Sequence, residues 1–218
     1  SILVGTGQTS NMALSLAQGI VKKEAKKYGD NVATDKIRAL TFETYNKKFK
    51  PNRTSYDWLC ADNEALDEYI NDPLRGENAT VGLFREMLYG MKYTGNKDNI
   101  RKMSKMKPLL FLSGDKDSVG EFGKGVEKAY KDYKSCGIAD ATIKLYEGLR
   151  HDILHESIRF DIYEDIYNWM KSRKLVKDKV EKKKITSPKL SDENKPIIAD
   201  NNEVKSLISD EKILGLKK

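Results

Sequence analysis

The sequence predicts an α/β fold built on a parallel sheet, and three observations carry that expectation. Pro108-Leu109-Leu110-Phe111-Leu112 is an unbroken apolar run that ends at Ser113-Gly114, the pattern of a strand buried on both faces of a parallel sheet. Residues 121–135 follow it with Val126, Ala129, Tyr130 and Tyr133 at helical spacing, stopping before Gly137. Ala141–Tyr146 then reads as a second strand, closed by Glu147-Gly148, and residues 155–172 as a last helix with Ile158, Ile162, Ile166 and Trp169 on its apolar face. Strand, helix, strand, helix is the order of parallel units joined by right-handed crossovers.

The first half is mostly helical. Ile2–Val4 is a short apolar run ending in Gly5-Thr6-Gly7, a strand that enters a turn. From Asn11 to Tyr28 apolar residues recur at helical spacing, with Ser10 as N-cap and Gly29 as stop. Residues 34–48 read as a second amphipathic helix, residues 62–71 as a short acidic one closed by Asp72-Pro73, and residues 80–93 as a third with Leu83, Phe84, Met87 and Leu88 on its apolar face. Between them lies the turn-rich Lys50-Pro51-Asn52-Arg53-Thr54, followed by Tyr56 and Trp58. A buried-strand pattern that starts at residue 2, without an initiator Met, predicts that the polypeptide continues upstream.

Of the 218 residues 39% are hydrophobic and 33% charged, enough for one domain and a tail. The net charge is +7, but it is uneven: residues 171–218 hold 14 Lys+Arg against 8 Asp+Glu, and residues 1–170 hold 26 against 25. A body that bound phosphate backbones would itself be basic, so no nucleic-acid partner is expected. Residues 173–218, with KDKVEKKK at 177–184 and prolines at 188 and 196, read as a disordered basic tail with a short helix near 203–214. Such a tail allows weak peripheral contact with an anionic membrane. Cys60 and Cys136 are isolated, neither a disulfide framework nor a zinc site, and a reducing cytoplasm is the expected compartment. No signal-peptide pattern opens the sequence and no apolar run reaches the length of a membrane span.

Both histidines fall in Leu149-Arg150-His151-Asp152-Ile153-Leu154-His155. Their spacing of four admits a metal reading, with Asp152 in place of the Glu of HExxH. That reading needs both on one helix and a third ligand, whereas His151 stands three residues beyond a Gly-terminated strand. The other reading is acid–base. Asp117 follows the strand at 108–112 and His151 follows the strand at 141–146, and in open α/β sheets the reactive groups gather beyond the carboxyl ends of the strands. A carboxylate at one strand end can fix the tautomer of an imidazole at the next and stabilise its protonated form. Gly-Asp-Lys-Asp is also ordinary turn chemistry, and His155 reads as a residue that starts and packs the last helix. The nucleophile expected with such a pair sits in Gly-x-Ser-x-Gly. None of Ser10, Ser113 or Ser118 has the flanking glycines, and no such element occurs in the chain.

Pro108–Gly114 with Asp117, Lys124-Gly125, Ile143-Lys144-Leu145-Tyr146-Glu147-Gly148, Arg150-His151 and Glu156 resembles the end of the lysophospholipase/monoacylglycerol-lipase family, often grouped with serine aminopeptidase-like α/β-hydrolases. Asn46-Lys47-Lys48-Phe49-Lys50-Pro51, Tyr56-Asp57-Trp58-Leu59 and Asp72-Pro73-Leu74 resemble the cap of bacterial members, and Leu3-Val4-Gly5-Thr6-Gly7 the strand after the nucleophile helix. Arg75 departs from these members, which often carry Cys there.

The resemblance, over residues 1–171, implies the C-terminal part of an α/β-hydrolase sheet: about three parallel strands from residues 1–9 and 106–172, with residues 10–105 as a helical cap. It implies Asp117 as triad acid and His151 as triad histidine, without a position for the serine. It further implies a serine-dependent acyl-ester hydrolase acting on a small lipid-like ester, inactive as this chain alone, with no cofactor and no metal. Trp58, Phe84 and Met87 would line an acyl pocket, although simple packing of the cap helices explains any single one of them better. The alternative is a non-catalytic protein that docks on a partner or membrane through the cap and basic tail.

Overall fold

The computed structural model describes residues 1–75 and 79–175, and these residues up to Leu175 form one compact unit. Its centre is a sheet of three parallel strands in the order β1-β2-β3: β1 at Ile2–Val4, β2 at Leu109–Gly114 and β3 at Ala141–Tyr146. Leu3 pairs with Phe111, and Phe111 with Ile143. All six residues of β2 are buried, as the unbroken apolar run predicts. Its side chains alternate between two cores. Leu110 and Leu112 face Ile153, Ile162 and Trp169, the last two from α8 (Arg159–Ser172). Leu109 and Phe111 face Val126 and Ala129 of α7 (Lys124–Ser135) and also Ile138. Helices therefore cover both faces of β2, and each fully buried Leu or Phe contributes about 2 kcal/mol through its removal from water.

The helical block between β1 and β2 begins with α1, Asn11–Tyr28, whose N-cap Ser10 accepts a hydrogen bond from the Ala13 amide and whose C-cap is Gly29. Helix α1 packs on a later helix, Val81–Thr94, and the pair has its own core of Leu14, Val21, Ile37, Val81, Phe84 and Leu88. The expected single helix over 34–48 is broken. It consists of α2 (Asp35–Arg38), a π-helical turn at Ala39–Glu43, α3 (Thr44–Asn46) and a 3₁₀ turn at Lys47–Phe49. Asn46 gives the physical reason: its side chain donates to the Thr54 carbonyl and accepts from the Trp58 amide, which pulls the following loop back onto the helix end. Next come α4 (Asn63–Asn71), capped by Asp62, and α5, the Val81–Thr94 partner of α1, capped by Thr80. A short helix not anticipated from the sequence, α6 (Lys97–Arg101), is capped by Asn96.

Three other boundaries differ from expectation. Helix α7 begins at Lys124 rather than 121, because Glu121, Phe122 and Gly123 take left-handed backbone conformations, with φ of 54°, 56° and 85°. Helix α8 begins at Arg159, so His155 lies ahead of it in a turn. Arg173, expected to open the tail, is part of the folded unit: it pairs with Asp140 and lies over the Trp169 ring. The rest of the basic tail, including the helix expected near 203–214, falls outside the described residues. Among the described residues no helix is long and apolar enough to cross a membrane.

Candidate active site

The ends of β2 and β3 come together because of a glycine. A Cβ on Gly114 would lie 2.0 Å from the Leu149 carbonyl oxygen, so only glycine lets the loop after β3 cross the end of β2. The crossing is fixed by the Lys116 amide donating to the Leu149 carbonyl and the Gly148 amide donating to the Asp115 carboxylate. It places His151 over the turn that carries Asp117.

Asp117 Oδ2 lies 3.0 Å from His151 Nδ1. The carboxylate is fully buried, and its other contacts are donors: Ser113 Oγ to Oδ2 at 3.1 Å and the Val119 amide to Oδ1 at 2.8 Å. With an acceptor at Nδ1, the neutral imidazole carries its proton there and leaves Nε2 as the basic nitrogen. The turn that follows is strained. Two successive non-glycine residues with positive φ, Glu121 and Phe122, occur four and five residues after the acid, and such conformations persist where surrounding contacts hold them. The Phe122 amide donates to the Asp117 carbonyl, and the Phe122 ring meets Phe49.

The imidazole sits between two walls. On one side is Gly5 at φ 60°, where a Cβ would come within 3.0 Å of His151 Cε1. On the other is Trp58, with ring centroids 5.4 Å apart. Trp58 in turn stacks on Phe42 and touches Tyr45. Burial raises the Tyr45 phenol above its ordinary pKa, and the charges of Asp117 and Glu121 add to the rise. A cleft of about 420 Å³ opens beside Phe42, bounded also by Tyr56, Arg38, Lys47 and Lys50.

Of the residues singled out from the sequence, Asp117, His151 and Trp58 are brought together. Phe84 is buried inside the α1–α5 pair, and Met87 stands 45% exposed on the same helix, with Leu83 more exposed still. His155 is a surface residue bonded to Asp152 at 2.8 Å, not a member of the helix it was expected to start. His151 and His155 share no helix, and among the described residues no group of three or more His, Cys, Asp or Glu could hold a metal ion. Sequence reasoning missed Ser113, Gly5 and Gly114 as site residues. The only signal for Gly114 was its position at the end of a buried strand.

The chain matches the family described as serine aminopeptidase, S33, over residues 8–158. It belongs to that α/β-hydrolase family. Solved structures similar to this S33 member include a thermostable carboxyl esterase from Bacillus coagulans in complex with glycerol, with a TM-score of 0.71 and 20% identity over 78% of this chain. A soluble variant of monoglyceride lipase from Saccharomyces cerevisiae is similar at a TM-score of 0.55 and 20% identity over 78%. A monoacylglycerol lipase from Paleococcus ferrophilus is similar at a TM-score of 0.54 and 18% identity over 78%. These identities establish a shared fold. The S33 member spans 56%, 55% and 58% of those three chains. No curated protein matches it.

Proposed function

We propose that this S33 member carries the acid and the histidine of a serine acyl-ester hydrolase of the monoacylglycerol-lipase or lysophospholipase type, and that the serine is supplied by polypeptide outside these 218 residues. The observation that carries the reading is the 3.0 Å contact between a fully buried carboxylate and an imidazole at adjacent parallel strand ends. The proposal extends to residues 10–105 as a cap over the site, with Trp58 on the substrate side, and to a cytoplasmic location.

In this reading His151 Nε2 takes the serine proton as the oxygen attacks the ester carbonyl. A C–O bond forms to the serine, the C–O bond to the alcohol breaks, and His151 returns the proton to the leaving alkoxide. The same nitrogen then activates water, which releases the carboxylic acid and restores the serine. Asp117 holds Nδ1–H throughout and stabilises the imidazolium without taking its proton.

The test is to read the coding frame upstream of Ser1, express the continuous frame, and assay it on monoacylglycerol and lysophospholipid esters. A Gly-x-Ser-x-Gly element and turnover that falls about 10⁴-fold or more in His151→Ala support the proposal. Turnover unaffected by His151→Ala, or no ester hydrolysis at all, overturns it. Membrane contact through residues 176–218 is a separate proposal, tested by vesicle sedimentation with and without that segment. Salt-sensitive loss on truncation supports it, and equal binding of both forms ends it.

A further inference from the structure

Arg150, His151 and Asp152 are tied, residue by residue, to one loop of the helical block. The Glu156 carboxylate is 1% exposed and accepts three amide hydrogen bonds: from Ala61 at 2.9 Å, Asp62 at 3.1 Å and Arg150 at 3.1 Å. The first two amides lie in the loop that precedes α4, and the third lies immediately before His151. On the other side of His151, the Asp152 amide donates to the Leu59 carbonyl at 2.7 Å. The Arg150 guanidinium crosses the same gap, donating to the Asp57 and Cys60 carbonyls while lying 4.5 Å over the Phe49 ring. Trp58, from this loop, forms one wall of the imidazole.

We infer that Glu156 is a positioning residue: its carboxylate locks the loop at 57–62 to the turn at 150–152, so that the Trp58 wall and the His151 imidazole move as one body. The inference rests on His151 being the histidine that faces Asp117 through Nδ1, as in the proposed function. A buried carboxylate suits the task, since its two oxygens accept amides from two segments at once and three N–H donors compensate its burial. An apolar side chain there would leave those donors without partners. Any opening of the helical block would then hinge away from the loop at 57–62, and the aromatic wall would stay with the base.

The test uses the imidazole as its own reporter in the 218-residue chain. The chain has only two histidines, so two-bond ¹⁵N–¹H correlations report both tautomers. The unmodified chain shows His151 as the Nδ1–H tautomer at a pH where the ring is neutral. In Glu156→Ala the His151 signal moves toward the tautomer mixture of a free histidine side chain, while His155 stays as it was. Ile162→Val, a destabilising change in the core under α8, leaves His151 unchanged, because mere loss of stability does not alter the tautomer. A folded Glu156→Ala chain with the wild-type His151 tautomer overturns the inference.

Amide hydrogen exchange of the unmodified chain decides the matter if Glu156→Ala does not fold. The amides of Ala61, Asp62, Arg150 and Asp152 open together, with protection factors within about tenfold of one another. Ala61 and Asp62 exchanging about a hundredfold faster than Arg150 would sink the idea. A wild-type His151 found as the Nε2–H tautomer defeats the Asp117–His151 reading instead, and exchange then decides the clamp on its own.

Discussion

Two His–Asp pairs have histidines four residues apart in this chain, and their distances are nearly equal: 3.0 Å for His151–Asp117 and 2.8 Å for His155–Asp152. Distance does not separate them. His155–Asp152 is a local contact across three residues with the histidine side chain 69% exposed. His151–Asp117 joins two strand ends 34 residues apart, and its carboxylate is inaccessible to water. The first pair costs the fold little and contributes little, as exposed pairs do. The second is held by Ser113, the Val119 amide, Gly5, Gly114 and Trp58, which fix its geometry.

The sharpest way to break this comparison is to delete each carboxylate. Asp117→Ala leaves the Val119 amide and the His151 Nδ1–H without their acceptor and the Ser113 hydroxyl with only the Gly114 carbonyl. A loss of about 3 kcal/mol is expected, because buried donors left without partners retain their desolvation cost. Urea unfolding of the chain measures it. A loss under about 1 kcal/mol would mean that the pair is no more embedded than its surface counterpart.

Gly5→Ala attacks the same pair from the side. The added Cβ meets His151 Cε1 at 3.0 Å and Nδ1 at 3.1 Å, on a backbone at φ 60°. The left-handed conformation alone costs about 1–2 kcal/mol for a residue with a Cβ, and displacement of the ring adds to it. A total near 2 kcal/mol is expected, with a changed His151 Nδ1 shift as the signature that separates ring displacement from backbone strain.

The loop that carries Trp58 gives a third, smaller effect, readable by pH. Burial pushes the Asp57 carboxyl up, but hydrogen bonds from the Thr54 hydroxyl, the Arg53 and Thr54 amides and the Asn52 side chain outweigh it and hold the group below its ordinary value. The folded chain therefore takes up this proton less readily than the unfolded chain. The stabilisation is present above the unfolded pKa, about 4, and fades as pH falls through the lower folded value. Asp57→Asn should flatten the stability-versus-pH curve below pH about 4 relative to the unmodified chain. Parallel curves would place the acid sensitivity elsewhere, for example at Asp132 or Asp165, which are also held low.

How much of this could be read from the sequence follows from the range of each interaction. The strand at 109–114 was legible because burial on both faces writes itself as a continuous apolar run, and the strand at 141–146, mostly half-buried, because Glu147-Gly148 closes it. Ser10 was legible as a boundary, because an N-cap is a contact over three residues. The order of Asp117 and His151 after successive strands was enough to pair them. The break in the helix at 39–43 was hidden, because Asn46 acts through Thr54 and Trp58. The role of Glu156 was hidden for the same reason. It lies five residues beyond His151, yet two of its three partners are more than ninety residues away. That long-range pull also explains the late start of α8: the Glu156 carboxylate is spent on Arg150, Ala61 and Asp62, and α8 has no side-chain N-cap hydrogen bond. The apolar face expected for α5 was half right. Phe84 and Leu88 are buried, but Leu83 and Met87 lie on a flank that α1 does not cover.

The smallest effect is the one that completes the comparison. Asp152→Ala removes the carboxylate that faces His155, but it leaves the Asp152 amide on the Leu59 carbonyl untouched. The side chain is partly exposed, and its partner histidine is mostly in water. Stability should change by less than about 0.5 kcal/mol, as for surface substitutions away from special features, and the His151 tautomer should not change. A loss as large as that of Asp117→Ala would show that the turn at 150–156 depends on both pairs. His151 would then be positioned by its whole loop and not chiefly by the acid beneath it.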